Sequence, residues 1–400
     1  MTTLQKLAID GGTPVRTKPF PEWPIHNEVE EQLILEVVRS GKWGGTGRIM
    51  LPRIEEQFAA AHDAKYAVSI VNGTVAITIA LQAAGVQPGD EVIMPPYTFI
   101  ATASSALLFG AIPVFVDVEA DTLLLDPDKV EAAITPKTKA IIAVHIGGAP
   151  ANLTRLKAIA AKHNLRLIED SAQAVGAQWN GTGVGAQGDF GTFSFQSSKN
   201  INSGEGGMIL TNDERLADMA WSLTNVGRIR NGGWYQHEHI GWNLRMTEFQ
   251  AAILIGQMTR LVEQMAARER NGKRLTELLS QIEGIQVLRR DPGITRHAYH
   301  LYMFKLDPVW ADRIDKNEVI QRLVAEGIPA APGYVSLNTN KAVLSETKKW
   351  TGEDRFYSCP ISERACEKEV LWLHQNMLLG DATDIDDIAE AVSKVMRSYR

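Results

Sequence analysis

Tyr66-Ala-Val-Ser-Ile-Val71-Asn72-Gly73-Thr74-Val75-Ala-Ile-Thr-Ile-Ala-Leu-Gln-Ala-Ala84-Gly85 reads in two halves. Tyr66–Val71 is a short apolar run, rich in β-branched residues, as a buried strand is. Val75–Ala84 is an apolar helix that Gly85 ends. A strand that passes through a glycine turn straight into a helix is the repeating unit of an α/β sheet. Ser69, Asn72, Gly73, Thr74, Thr78 and Gln82 interrupt this most apolar stretch, so it falls short of the roughly 20 unbroken apolar residues of a membrane span.

The alternation continues outward from this unit. Strands are predicted at Glu91–Met94, Pro113–Val118, Ala140–His145, Leu165–Glu169, Phe190–Phe195 and Gly207–Thr211, with helices at Thr102–Leu108, Pro127–Ile134 and Leu156–His163. Nearly continuous apolar strands predict a mixed, mostly parallel sheet covered by helices on both faces. Beyond residue 212 the pattern is helical, over Glu214–Val226 and one long helix over Thr247–Ser280 that would link two units. Strand-like Gln286–Leu288 and Leu301–Leu306 and helix-like Lys316–Glu326 and Ile385–Ser398 then make a smaller C-terminal α+β unit. The expected division is a large α/β domain at 25–265 and a small domain at 266–400, with residues 1–24 packed on the rest. The 400 residues suit two domains.

Composition narrows the function. Hydrophobic residues are 44 % and charged residues 22 %, ordinary for a globular protein. The net charge of −6 and the lack of a basic patch speak against nucleic acid as a partner. Two cysteines, Cys359 and Cys366, cannot build a disulfide scaffold or a four-cysteine metal site. Met1–Arg16 has no apolar core of the signal-peptide kind, so a cytoplasmic location is expected, with no membrane partner. His237 and His239 flank Glu238, but no further ligand cluster supports a metal site.

In an open α/β sheet, ligands bind beyond the carboxyl ends of the strands. Four predicted strand ends bring polar residues there: Asn72-Gly73-Thr74, His145, Asp170, and Ser194 to Lys199. Gly73 and Thr74 open a helix, where backbone N–H groups and the dipole favour a phosphate; a plain junction with Thr74 as N-cap reads the same way. Asp170 ends an apolar strand, where a carboxylate is costly without a cation; capping a following helix is the alternative. Lys199 sits between a buried strand and the glycine-rich Gly204-Glu-Gly-Gly207. A desolvated lysine there can form a Schiff base, though a surface lysine also fits. Together, a phosphate cradle, a carboxylate and such a lysine match pyridoxal 5′-phosphate, which needs a phosphate anchor, a partner for its pyridine nitrogen and an amine on its aldehyde.

At longer range the motifs run in a recognisable order. They are Gly89-Asp-Glu-Val-Ile, Tyr97-Thr-Phe99-Ile-Ala-Thr, Val114-Phe-Val-Asp-Val, Thr138-Lys-Ala-Ile-Ile with Val144-His145, Ile168-Glu-Asp170-Ser-Ala-Gln173, Phe193-Ser194-Phe, Lys199 with Gly204-Glu-Gly-Gly207, and Trp242-Asn243-Leu-Arg245-Met-Thr-Glu. From about Phe20 to near the C-terminus the chain resembles the DegT/StrS family of sugar aminotransferases, with the fold-type I architecture of pyridoxal-phosphate enzymes. The resemblance implies that Lys199 carries the cofactor as an aldimine and that Asp170 pairs with its ring nitrogen. Gln173 falls near the ring hydroxyl and Phe99 on the ring face. Gly73, Thr74 and Ser194 match phosphate ligands, and Asn243 matches a phosphate contact donated by a second subunit, hence a homodimer with shared active sites. Asn72 departs from the serine common at its place.

Lys199 is the residue that relatives acting as sugar dehydratases replace, so the resemblance implies transamination. Gln196, Pro21-Glu22-Trp23-Pro24, Ser362-Glu-Arg-Ala365 and Leu373-His374 look like the branch that holds the glutamine:scyllo-inosose aminotransferases and the aminohydroxybenzoate synthases. The expectation is ping-pong transfer of an amino group from L-glutamine or L-glutamate to a keto-cyclitol or keto-sugar. The alternatives are a sugar-nucleotide aminotransferase, a pyridoxal-phosphate-dependent sugar dehydratase and a non-catalytic regulatory relative. Trp43, His145, Arg245, Tyr334 and His374 are candidate substrate contacts, each with packing or an ion pair as its other reading.

Overall fold

The computed structural model describes residues 6–45 and 48–399. Its centre is a seven-stranded sheet of β1 (Tyr66–Ile70), β2 (Glu91–Met94), β3 (Ile112–Phe115), β4 (Thr138–Val144), β5 (Arg166–Asp170), β6 (Phe190–Ser194) and β7 (Gly207–Thr211). The spatial order is β1-β7-β6-β5-β4-β2-β3. Only β7 runs antiparallel to its neighbours, so the other six strands point their carboxyl ends at one rim.

Side chains alternate across the sheet as the period of two requires. Ile209 joins the core under α3 (Gly73–Ala83), whereas Met208 and Leu210 join the one under α1 (Glu28–Ser40) and α2 (Met50–Ala61). Neither α1 nor α2 is among the helices expected from sequence. The N-terminus of α2 has no side-chain cap of its own. The buried carboxylate of Glu248 supplies one, accepting the N–H groups of Ile49, Met50 and Leu51 at 2.8, 2.5 and 3.2 Å.

Further helices are α4 (Ala101–Leu107), α5 (Leu153–His163), α6 (Glu214–Thr224), α7 (Glu248–Met258) and α8 (Leu261–Leu279). The single long helix expected over Thr247–Ser280 is therefore two. Between them Thr259 Oγ1 turns back on Gly256 O at 2.6 Å, and Arg260 leaves helical geometry at φ −106°, ψ −3° to pair with Glu30 of α1. That tertiary pairing overrides an unbroken local helix pattern. α7 packs on α1 and α2, whereas α8 packs on the second unit.

The second unit holds a four-stranded antiparallel sheet of β8 (Ile285–Val287), β9 (Leu301–Leu306), β10 (Ala330–Ala331) and β11 (Val370–His374), ordered β8-β9-β11-β10. α8, α9 (Lys316–Ala325) and α11 (Ala382–Arg397) enclose its core, while α10 (Lys341–Thr351) packs on α4 and β3. The N-terminal segment is fastened to this unit. Glu326 accepts Ala8 N–H, Val15 N–H and the Lys394 ammonium at 2.9, 3.0 and 2.8 Å. Arg16 bridges Asp384 and Asp387 of α11, each at 2.7 Å. Among the described residues, no helix is long and apolar enough to cross a membrane.

Candidate active site

The rim of the large sheet and the end of the small one enclose a cavity of about 610 Å³. Gly73, Thr74, Phe99, Asp170, Gln173, Ser194, Lys199, Tyr334 and His374 line it, so nine of the residues singled out from sequence come together.

Asn72, not Thr74, is the N-cap of α3. Its Oδ1 accepts Val75 N–H at 3.0 Å, and its carbonyl accepts Ala76 N–H. The N–H groups of Gly73 and Thr74 precede the first intrahelical donor, Ala76 N–H, and remain free for an anion. A Cβ on Gly73 would stand 2.7 Å from the Cβ of Ser194, so only glycine lets β6 and the head of α3 approach this closely.

Asp170 is the last residue of β5 and is buried. It does not cap a helix, since a turn follows it. Its Oδ2 accepts Thr102 Oγ1–H at 2.8 Å and its Oδ1 accepts Ala172 N–H at 3.3 Å. Burial raises the carboxyl above its ordinary range, against those bonds and the charge of Lys199. Among the described residues, no guanidinium or ammonium group bonds it. Lys199 has no hydrogen-bond partner for its amine among the described residues, and desolvation, partly offset by Asp170, pushes it down to about 8. A buried carboxylate with no cation bonded to it among the described residues, an amine that gives up its proton more easily than an ordinary lysine and a free helix N-terminus fit the three polar ends of pyridoxal phosphate.

Gln173 bridges the two units. Its Oε1 accepts Gly147 N–H at 2.7 Å and its Nε2 donates to Tyr334 Oη at 2.5 Å. The Tyr334 ring stands edge-on to Tyr97 and Trp372, with centroids 5.5 and 4.3 Å apart, and Trp372 Nε1–H donates to Tyr97 Oη at 3.1 Å.

Four candidates lie elsewhere. His145 faces away from the cavity: Nε2 pairs with Glu169 at 3.0 Å and Nδ1 accepts Ala151 N–H at 2.9 Å, so a fully used core histidine replaces the expected substrate contact. Trp43 is exposed against Phe249. Arg245 lines a separate small pocket with Arg48, Glu55 and Ser69. Asn243 is exposed, on a bridge with Asn225, and does not line the cavity of its own chain. His237 and His239 bond Val226 O and Ser222 Oγ, and no metal-type cluster occurs among the described residues.

Thr98, Thr102, His300 and Trp372 line the cavity as well, and sequence reasoning missed them in this role. The signal for His300 was present: a polar residue placed against the first apolar residue of a predicted strand.

A lysine and a buried carboxylate at the carboxyl rim of such a sheet, beside a free helix N-terminus, define an enzyme of the pyridoxal-phosphate class. Residues 24–393 match the profile of the DegT/DnrJ/EryC1/StrS aminotransferase family, and the chain belongs to that family. It is 40 % identical to the L-glutamine:2-deoxy-scyllo-inosose aminotransferase of Streptomyces kanamyceticus, over 98 % of this chain and 97 % of that one. It is 41 % identical to a protein of Streptoalloteichus tenebrarius provisionally named L-glutamine:3-amino-2,3-dideoxy-scyllo-inosose aminotransferase, over 98 % of each. The crystal structure of 3-amino-5-hydroxybenzoic acid synthase superposes with a TM-score of 0.88 at 32 % identity, covering 96 % of this chain and all of that one. The Bacillus subtilis protein NtdA, solved with its cofactor PMP, gives 0.83 at 28 %, covering 96 % and 86 %. The protein is an aminotransferase, and its cofactor is pyridoxal phosphate.

Proposed function

We propose that this enzyme moves the amino group of L-glutamine to the ketone of a cyclitol. The observation that carries the choice of acceptor is the charge of the cavity wall that this chain itself supplies. Among the described residues lining it, Lys199 is the one lysine or arginine, against Asp170 and Glu205. A nucleoside diphosphate adds negative charges that one lysine beside two carboxylates does little to balance, whereas an uncharged polyol asks only for hydrogen-bond partners. The names of the two relatives above agree with this reading.

The bound cofactor supplies the electron sink for a carbanion at the donor α-carbon. Gly73, Thr74 and Ser194 would hold its phosphate, Phe99 its ring face, and Gln173 its ring hydroxyl. Asp170 would keep a proton on the ring nitrogen. Lys199 would take the proton from the donor α-carbon and return it at the cofactor's C4′. With its pKa near 8, about a tenth of that amine is free at pH 7, against less than a thousandth for an ordinary lysine.

The working unit in this reading is a homodimer in which Asn243 reaches the phosphate of the second copy. Support comes from Ile240, 98 % exposed, with Trp234 and Trp242 exposed beside it, an apolar surface of the kind partners cover. A cytoplasmic location goes with it, since the free thiols of Cys359 and Cys366 suit a reducing compartment.

The test offers the loaded enzyme L-glutamine with either 2-deoxy-scyllo-inosose or a nucleotide-linked keto-sugar, and reads aminated product by mass spectrometry. Amination of the cyclitol alone is expected. Amination of the nucleotide sugar alone would overturn the choice of acceptor.

A further inference from the structure

Lys199 is followed by Asn200, a buried residue that the reaction above does not use. Its Nδ2 donates to Ala298 O at 2.7 Å, and its Oδ1 lies 3.1 Å from His300 Nδ1. A carbonyl oxygen only accepts, so the amide nitrogen must face Ala298 and the amide oxygen must face the ring. His300 therefore carries its hydrogen on Nδ1 and keeps a bare lone pair on Nε2. Nε2 has no partner among the described residues, and His300 lines the same cavity as Lys199.

The ring is held in this attitude from several sides. Tyr299 sits in the left-handed region at φ +47°, a conformation a bulky residue keeps only when its surroundings impose it. Its ring stacks on His297 with centroids 3.9 Å apart, and Gly272 of α8 leaves the room: a Cβ there would stand 2.6 Å from that ring. Ala298 N–H donates to Gly148 O at 2.9 Å. The charged or titratable groups that bear on His300 are Lys199 after β6, Arg268 on α8 and His374 at the end of β11. With burial, all three oppose a second proton and hold the ring well below the ordinary histidine range. Arg268 is itself buried, and among the described residues its guanidinium hydrogen-bonds the neutral amides of Gln375 and Gln264 and has no carboxylate partner.

We propose that Asn200 is a positioning residue that presents His300 Nε2 as a hydrogen-bond acceptor for a neutral hydroxyl of the ketone substrate. The inference deepens the proposed function and rests on it. A lone pair among three cationic or cation-capable groups takes a hydroxyl readily. It takes fluorine not at all and an ammonium group poorly.

The tautomer is read first, by ¹⁵N NMR of ¹⁵N-histidine protein, with His300→Gln used to assign the ring. A protonated Nδ1 and a bare Nε2 from pH 6 to 9 are expected; a hydrogen on Nε2, or a charged ring at pH 7, would overturn the proposal. Kinetics come second, on 2-deoxy-scyllo-inosose and analogues with one hydroxyl replaced by fluorine. One analogue should lose roughly tenfold to a hundredfold in kcat/KM, and the loss should vanish in His300→Phe. Equal rates for all analogues would sink it. In Asn200→Asp a carboxylate raises the ring pKa, so the acceptor KM should climb as pH falls and recover in alkali; a flat profile counts against the idea. Wild-type enzyme whose cofactor absorbance ignores glutamine would refute the aminotransferase reading itself, separately from the tautomer.

Discussion

Replacing Asp170 by asparagine separates what this side chain does for the reaction from what it does to the fold. Asparagine is nearly isosteric, and its one oxygen still accepts the Thr102 hydroxyl, now 2.8 Å from Oδ2. It loses the charge and the long 3.3 Å bond from Ala172 N–H. An opposite charge in contact shifts a pKa by about 1–3 units, each worth about 1.4 kcal/mol. Without the carboxylate, the proton on the ring nitrogen loses about 1.4–4 kcal/mol of support, which is roughly tenfold to a thousandfold in the proton-abstraction step. Stability should move the other way. Because burial raises the Asp170 carboxyl in the folded protein, the folded state binds its proton more tightly than the unfolded chain does. That group's contribution therefore becomes less favourable as pH rises from the unfolded value near 3.9 to the folded one, and above that window the fold carries the full cost. The cofactor-free Asp170→Asn protein should melt higher than wild type at pH 7, although its half-reaction with glutamine, followed by stopped-flow absorbance, is slow. A variant that is both fast and less stable would refute the account of Asp170 as a desolvated anion awaiting a cation.

The remaining predictions concern the amine, the cradle and a distant cap. In cofactor-free protein Lys199 should react with an amine-directed reagent with a midpoint near pH 8, ahead of surface lysines near 10.4; peptide mass spectrometry across a pH series checks this, and Lys199→Ala should abolish the glutamine half-reaction. Gly73→Ala should cost about 1–3 kcal/mol through its clash with Ser194 and weaken cofactor binding at least tenfold, measured by fluorescence titration. Glu248→Gln keeps the shape but removes the charge that caps α2, and should lower stability by about 1–3 kcal/mol in a denaturant titration, with the cofactor spectrum unchanged.

The rim was legible because its residues follow strands whose apolar runs are unmistakable. Asp170 and Lys199 are polar groups placed where a buried strand has just ended, which is why they stood out. The other wall of the cavity was harder to see. Tyr334 and His374 were expected there, but Trp372 and His300 arrive from antiparallel strands that pair over long sequence separations, and Ala330–Ala331 is too short to show a period. His145 misled for a physical reason: strand ends attract polar residues whether they face a ligand or, as here, a buried carboxylate behind it. The α7–α8 break was illegible because its cause, Arg260 reaching Glu30, joins residues 230 positions apart.

The fastening of the N-terminal segment bears on how the chain is born. Glu326 and α11 hold residues 8–16, yet Asp387 of α11 is made 371 residues after its partner Arg16. At about 5–20 residues per second, Arg16 waits roughly 20–75 s for its seat. The large sheet has all its strands by Thr211 and is free to assemble meanwhile. A segment made early is thus seated only after α11 has been made, and until then its binding surface on the small unit stays uncovered.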